Sequence, residues 1–420
     1  MQLSYTYIVV SSNIMKYEKQ LDIVNELVEL AEIIQEPIRN SNEPYKSFGI
    51  LNYNITFSGY DKLGKYQTGL ENLFNFKKEI SETLTLKKFE NELVGLIRIS
   101  KNREEKCSIK EIETFFENFL TIKVSEVEIL YELYGAQMKV PKMEFGDFTV
   151  YDFDLSINEL TIRYPYLGTR DIFFSHRQSR YLLGVKVKAR ENAKAIELAN
   201  KLCETFENVF SYMIADLKHQ RTVGIFNFRG WKTTNIVVCN NESMGYHGQN
   251  SIFIPVEIDD DFFMDPSQGN NKIWNLITKA NKTEIEKRLI NSIEWIGKAI
   301  HDIDISKSLV QFVFAIEGML QLNEKAFITP SIVSQLSDWL AFITNDDLEQ
   351  RKKISKYFKE IYQKRSAIAH GAAKTIDVED LGIALQISKL MIITILTVIP
   401  FCNLKTIDEL NKCIIDLKFK

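Results

Sequence analysis

The chain lacks cysteines at the spacing of a motif. Its 420 residues contain an odd number of cysteines, and no two of them form a CxxC pair: Cys107, Cys203, Cys239, Cys402 and Cys413. This usage argues against a disulfide framework and against a cysteine zinc site. It is typical of proteins that stay in a reducing compartment, so we expect a cytoplasmic protein.

The chain also lacks a surplus of positive charge. Its formal net charge is -4, so the whole molecule has no general attraction for nucleic acid or for anionic membranes. The N-terminus has no basic leader followed by a long apolar run. The most apolar stretch, residues 381–400, carries Gln386 and Lys389 in its middle, which favours a buried bundle helix over a membrane span. We expect no membrane association, and any RNA-binding surface must be local.

Signatures of cofactor chemistry are missing too. Neither a GxxxxGK[ST] loop nor a GxGxxG loop occurs, which argues against nucleotide hydrolysis and dinucleotide redox chemistry. Only five histidines are present, and four of them have no partner at the spacing of metal ligands: His176, His219, His247 and His301. We therefore expect neither a metal nor a cofactor.

What is present is enough apolar material for buried cores, at 45% of the residues. The first 256 residues mix strand-like runs with helices, and the strand-like runs are residues 4–10, 48–57, 181–189, 222–228 and 234–239. Ser108 and Glu111 form a capping box ahead of an apolar face, and a longer helix follows over residues 191–217. Residues 1–256 are therefore predicted to be an α+β region, with a possible subdivision near 140–148 and with its topology open.

Composition changes after residue 256. Residues 257–282 combine acidic residues, proline, glycine and asparagine, which predicts a linker. Amphipathic helices follow, and their starts are marked by the capping box at Thr283, by Thr329 with Pro330 at the first helical position, and by Asp347 and Asp377. Short connections favour antiparallel neighbours, so residues 283–420 are predicted to be an all-α helical bundle.

The segment IYQKRSAIAHG, residues 361–371, contains the best candidate for chemistry. On a continuous helix Arg365 and His370 would lie about 140° apart. Gly371 changes this geometry, because glycine readily takes the left-handed conformation that ends a helix. His370 would then cap the helix, and Ser366, four residues earlier, would be placed to orient its imidazole.

These residue types suit cleavage of an RNA backbone. Histidine exchanges protons near neutral pH, and a guanidinium clamps a phosphate with two parallel hydrogen bonds. Together they suffice for metal-free attack of a ribose 2′-hydroxyl on the neighbouring phosphate. The structural alternative stays open at this point, since a histidine ahead of glycine can do no more than cap its helix.

The segments FVFAIEGML (312–320) and YFKEIYQKRSAIAHG (357–371), in this order, resemble the HEPN superfamily, most closely its Apea-like branch. The resemblance covers about the last third of the chain. It implies a helical bundle that pairs with a second copy and a metal-independent ribonuclease with an R-x(4–6)-H motif. Carried onto this sequence, it implies His370 as general acid/base, Arg365 as phosphate-binding partner and Ser366 at a polar motif position. Glu317 matches an acidic position of the earlier helix and would orient Arg365 or His370.

The helix that leads to the motif is rich in lysine and arginine. We single out four of them as candidate RNA-binding residues: Arg351, Lys352, Lys356 and Lys359. The faces occupied by Lys353 and Lys364 stay open in the sequence. The structural alternative is that these cations form a solvated helix face. The sequence by itself does not distinguish an RNA-binding surface from such a face.

Two hypotheses remain. In the first, the chain is a metal-independent endoribonuclease effector of the anti-phage or toxin type that acts on RNA as a homodimer. Its N-terminal region would sense a phage-derived or small-molecule trigger, or restrain the bundle. In the second, the bundle is a non-catalytic dimerisation or RNA-binding module attached to an N-terminal sensing domain. The presence of both Arg365 and His370 favours the first.

Overall fold

The computed structural model describes residues 3–34, 44–50, 53–165, 179–226, 234–239, 244–249, 254–322, 332–371 and 375–419. The chain forms two compact units. One comprises Met1–Val127 with Val187–Ala199, and the other comprises Glu128–Lys186 with Asn200–Lys420. Both units therefore draw on the region predicted as 1–256, and the second also contains the helices predicted as a bundle.

The first unit begins with a long helix. Its elements are α1 (Leu3–Leu30), β1 (Glu32–Ile34), β2 (Tyr45–Ile50), β3 (Tyr53–Ser58), α2 (Tyr60–Phe74), α3 (Lys78–Ser81), α4 (Leu86–Arg103) and α5 (Ile109–Thr121). The strands form an antiparallel sheet in the order β1-β3-β2. The predicted strand over residues 4–10 is wrong, because these residues belong to α1. The apolar residues that follow, such as Tyr17, Val24 and Leu27, are buried at helical spacing. The packing of this helical face overrides the weak strand preference of residues 4–10.

Aromatic packing builds the core of the first unit. The capping box predicted at Ser108 and Glu111 is confirmed at the start of α5. The ring of Phe89 on α4 lies 5.2 Å from the rings of both Phe115 and Phe119 on α5, measured between centroids. Edge-to-face and offset pairs of this kind add to the free energy gained from burial.

The second unit contains most of a five-stranded sheet. Its strands and helices before the bundle are β4 (Ser125–Tyr134), β5 (Ala136–Gln137), β6 (Lys142–Phe145), β7 (Phe148–Asp152), α6 (Phe153–Arg163), β8 (Tyr181–Ala189), α7 (Asn192–Ile214), β9 (Gly224–Ile225), β10 (Thr234–Cys239), β11 (Met244–Gln249) and β12 (Val256–Glu257), some of which extend into the first unit. Five of the strands are ordered β6-β7-β8-β4-β9. The strands predicted at 181–189 and 234–239 are confirmed, whereas within 222–228 only Gly224–Ile225 is a strand in the part that the structure describes.

Beyond Glu257 no described residue lies in a strand. The helices are α8 (Asn270–Thr278), α9 (Glu284–His301), α10 (Ile305–Leu320), α11 (Ile332–Thr344), α12 (Leu348–Ala369), α13 (Val378–Thr397) and α14 (Ile407–Lys418). The capping box at Thr283 and the N-caps at Asp347 and Asp377 are confirmed. The predicted start at Thr329 and Pro330 lies outside the described residues. An N-terminal α+β region followed by a helix-rich C-terminal region is therefore the fold class.

Residues 257–282, predicted as a linker, are ordered within the second unit. They contain a short 3-10 helix, Asp261–Met264, and α8. Phe263 and Trp274 are buried, and the Trp274 indole N–H donates to the Phe263 carbonyl at 3.1 Å. The acidic and glycine residues that suggested a linker instead make turns, since Asp260 caps the 3-10 helix and Gly269 has a φ of 74°.

Helix α13 is, among the described helices, the one that is long and apolar enough to cross a membrane. In this structure 56% of the apolar 18-residue stretch of α13 is buried inside the protein. Its Lys389 side chain reaches the Met213 carbonyl at the end of α7, at 3.2 Å. The interpretation of residues 381–400 as a core helix of the bundle therefore agrees with the packing.

Candidate active site at the end of helix α12

Helix α12 ends where the sequence predicts. Ala369 is its last residue, His370 is the C-cap, and Gly371 has a φ of 72° in the left-handed region. The His370 amide donates to the Ser366 carbonyl at 3.1 Å, and the Gly371 amide donates to the Ile368 carbonyl at 3.0 Å. Since the turn leaves the helical path at this point, the His370 side chain is exposed to solvent.

Arg365 lies one turn before the end of α12 and turns toward α10. Its guanidinium donates through Nη2 to Oε2 of Glu317 at 3.1 Å. The two side chains are 22% and 13% exposed, so this ion pair is largely shielded from water. The carbon of the guanidinium lies 5.3 Å from the ring centre of Phe314 and 5.5 Å from that of Tyr362. The acidic position on the earlier helix and the arginine of the motif are thus brought together.

Tyr362 belongs to this cluster, although sequence reasoning gave it no role. Burial is the main cause that raises the pKa of its hydroxyl, and a hydrogen bond to the Glu317 carboxylate raises it further. Glu317 therefore bridges Tyr362 and Arg365, which stand one turn apart on α12. That three-residue spacing was the available signal, because it places both side chains on the face that meets α10.

Ser366 is half-buried on the same turn. Within the described residues, its side chain makes no hydrogen bond to the His370 ring. The site therefore consists of a fixed Arg365–Glu317–Tyr362 group and, at the end of the same helix, an exposed His370. The Nε atom of Arg365 is buried without an acceptor among the described residues, which leaves this guanidinium with hydrogen-bonding capacity.

A groove of about 620 Å³ runs between α11 and α12. It is lined by all four candidate RNA-binding residues, Arg351, Lys352, Lys356 and Lys359, together with Phe342 of α11. The spacing of three and four residues along α12 explains this, because such positions share one face of a helix. The structure therefore joins these cations into one surface.

Arg351 is held rigidly in this groove. Its Nε donates to the Asn345 carbonyl at 2.7 Å, and its guanidinium carbon lies 4.2 Å from the ring centre of Phe342. The lysines are less constrained. Lys352 pairs with Glu349 at 2.8 Å and Lys356 approaches Glu360 at 4.0 Å, both on the exposed helix surface. Lys359 has no ion-pair partner among the described residues.

The two cations that the sequence left open have different surroundings. Lys364 is engaged with both carboxylate oxygens of Asp380, with its Nζ atom at 2.5 and 2.6 Å. Lys353 is exposed and does not line the groove. In the part of the chain that the structure describes, no group of three or more His, Cys, Asp and Glu residues is placed to hold a metal ion.

Comparison with known proteins identifies no relative. No protein-family model matches the chain, and neither the curated proteins nor the solved structures contain a significant match.

Proposed function

We propose that this protein is a metal-independent endoribonuclease of the HEPN type, acting as an effector in anti-phage or toxin-type defence. One observation carries the proposal. Helix α12 ends at an exposed His370, five residues after Arg365, whose guanidinium is held by Glu317. A proton-exchanging group and a fixed cation are the two groups that cleavage by the ribose 2′-hydroxyl requires.

In the proposed reaction His370 takes the proton from the 2′-hydroxyl, which then attacks the adjacent phosphorus. The bond to the 5′-oxygen of the next nucleotide breaks, and a 2′,3′-cyclic phosphate remains. Arg365 offsets the charge that grows on the phosphate oxygens, using its remaining donors. A second copy of the chain would supply the acid that protonates the leaving oxygen, so we expect a homodimer through the C-terminal bundle.

The groove between α11 and α12 gives the RNA a path to this centre. Lys359 and His370 are eleven residues apart, which corresponds to about 16 Å along a helix axis. One short RNA segment therefore spans both. Localised positive charge of this kind supports phosphate binding in a chain whose net charge is negative.

The second hypothesis, a non-catalytic dimerisation or RNA-binding module, also has an observation in its favour. Arg365 is paired with Glu317 and packed against two rings, as a purely structural arginine would be. Under that hypothesis the pair holds α10 against α12, and the groove binds RNA without cutting it. The two hypotheses differ in what an alteration of His370 does.

Cleavage of total RNA in EDTA by the wild-type protein and by His370→Asn separates them. We expect products that end in cyclic phosphates from the wild type and a loss of at least a hundredfold in the variant. His219→Asn is the matched control, because His219 is also exposed and lies outside this site. Equal cleavage by His370→Asn and the wild type would refute the catalytic role of His370.

The groove is tested by charge reversal. Lys356→Glu combined with Lys359→Glu should weaken binding of a single-stranded RNA oligonucleotide at least tenfold and reduce its salt dependence. Lys353→Glu combined with Lys412→Glu is the matched control, since it also reverses two exposed charges, both away from the groove. Equal losses in both variants would mean that general charge, rather than the groove, binds the RNA.

The absence of cysteine motifs supports a cytoplasmic location. Sedimentation at micromolar concentration tests the homodimer, and a monomer at that concentration would contradict a site composed of two chains. A phage-derived or small-molecule trigger is expected to act through the rest of the molecule.

A further inference from the structure

A second cavity lies in the bundle, away from Arg365 and His370. Its volume is about 700 Å³, and it is lined by α8, the first turns of α9, the end of α13 and the segment that follows α13. This volume falls in the range of about 300–1,000 Å³ that is usual for sites of small organic molecules. Nothing in the proposed ribonuclease reaction uses it.

The floor of this cavity is apolar. Buried side chains line it from three elements: Ile285 and Leu289 of α9, Leu396 of α13 and Phe401 just beyond it. Leu276 and Leu404 are half-buried and form part of its wall. A molecule that enters the cavity therefore places an apolar body against side chains that gain from losing contact with water.

The rim of the cavity is cationic. Three lysines line it, Lys272, Lys279 and Lys405, against a single carboxylate, Glu286. Lys279 is already neutralised by that carboxylate at 2.6 Å. Lys272 donates to the Leu396 carbonyl at 2.8 Å, which satisfies a donor but leaves its charge unpaired.

Lys405 is the third lysine at the rim. Its backbone amide donates to Glu409, but its ammonium has no ion-pair partner among the described residues. The cavity thus combines an apolar floor with two positive charges that form no ion pair with a carboxylate in the part of the chain that the structure describes. A neutral apolar ligand would make no ionic contact with those lysines. A small inorganic anion would leave the apolar floor in contact with water.

We infer that this cavity binds a small amphipathic anion, a molecule with an apolar body and one carboxylate, sulfonate or phosphate group held by Lys272 and Lys405. The apolar body lies on Ile285, Leu289 and Phe401. The anionic group exchanges its water for the two ammonium groups at the rim. This site stands independently of the ribonuclease proposal, because its binding can be measured without any RNA.

Decanoate is the probe, and Cys402 is the reporter. Cys402 lines the cavity and is half-buried, whereas Cys413 on α14 is half-buried outside it. Alkylation of the full-length protein with iodoacetamide is followed at both residues by peptide mass spectrometry. We expect decanoate to slow alkylation of Cys402 in a saturable manner and to leave Cys413 unchanged.

Three comparisons separate the contributions. Decanol has the same body without the charge and should protect Cys402 at least tenfold more weakly, and inorganic phosphate should not protect it. The double variant Lys272→Gln, Lys405→Gln should weaken decanoate about tenfold, as the loss of charge-assisted contacts predicts, and leave decanol unchanged. Lys412→Gln, an exposed lysine of α14, is the matched control.

Three results would overturn the inference. Equal protection of Cys402 and Cys413 by decanoate would indicate detergent-like binding to the whole surface. No protection of Cys402 at millimolar decanoate, with the wild-type protein folded, would show that the cavity does not bind this class of ligand. Equal affinity of the double variant and the wild type would remove the two lysines from the site.

Discussion

Among single residues, Lys389 of α13 carries the most unusual environment. Its ammonium lies 5.1 Å from the ring centre of Tyr212 and donates to a backbone carbonyl, with no carboxylate partner among the described residues. Burial lowers the pKa of Lys389 to about 8. The sequence had singled out this lysine only as an interruption of an apolar run, whereas the structure shows that it is half-buried between α13 and the end of α7.

Lys389→Met should stabilise the protein near neutral pH. The unfolded chain binds a proton at this position up to about pH 10.5, and the folded protein releases it above about pH 8. The stability of the wild type therefore rises with pH between these values, and the penalty is complete below them. A shift of this size corresponds to about 3 kcal/mol, so the variant should gain up to that amount at pH 7.

Urea unfolding near pH 7 and at about pH 9.5 measures this gain, which should shrink at the higher pH. Lys412→Met serves as the control, because Lys412 is exposed on α14 and should change stability by less than about 0.5 kcal/mol at either pH. A variant that is less stable than the wild type at both pH values would show that the Lys389 ammonium stabilises the fold.

At the scale of elements, helix α9 crosses α7 unusually closely. A Cβ atom at Gly297 would lie 2.2 Å from the backbone oxygen of Asn208. The side chains around this crossing also interact, with the Thr205 hydroxyl donating to Glu294 at 2.6 Å and Ser211 bonded to His301 at 2.7 Å. The absence of a side chain at Gly297 therefore sets the distance between the two helices.

Gly297→Ala should destabilise the protein by about 3 kcal/mol, because backbone atoms of α7 must move to admit the methyl group. Gly382→Ala on α13 is the matched control, since a Cβ atom there meets nothing within 4 Å. That change should raise stability by about 0.5–1 kcal/mol through helix propensity. Thermal unfolding of both variants measures the difference, and similar effects from the two would mean that α7 and α9 are not closely packed at Gly297.

At the scale of the whole molecule, the bundle is not separate from the sheet that precedes it. Helices α9 and α13 pack on α7 through Gly297 and Lys389, and all of these residues belong to the second compact unit. The sequence predicted a boundary at 257–282 because acidic and glycine residues cluster there. Within the described residues, that segment instead buries Phe263 and Trp274.

Residues 283–420 expressed alone should therefore expose the apolar surface that meets α7. We expect this fragment to bind the dye ANS and to lack a sharp urea transition, because its partners in the second unit are missing. Residues 128–420, which contain the whole second unit, should unfold in one cooperative transition. A cooperative transition of 283–420 equal in midpoint to that of 128–420 would restore the boundary predicted from composition.

The sequence alone determined several helix ends, namely the caps at Thr283, Asp347 and Asp377 and the left-handed Gly371 after His370. These features depend on hydrogen bonds and backbone angles within one turn, so neighbouring residues suffice to specify them. It missed what depends on distant residues, including the helical state of residues 4–10.

Only the tertiary structure decided which charged groups meet. Lys364 and Arg365 are adjacent in the chain, yet one pairs with Asp380 and the other with Glu317, 48 positions away. It also joined the candidate RNA-binding cations into one groove with Phe342. The reason is that a cation finds its partner through the packing of whole helices, and the strength of that pair depends on the water the packing excludes.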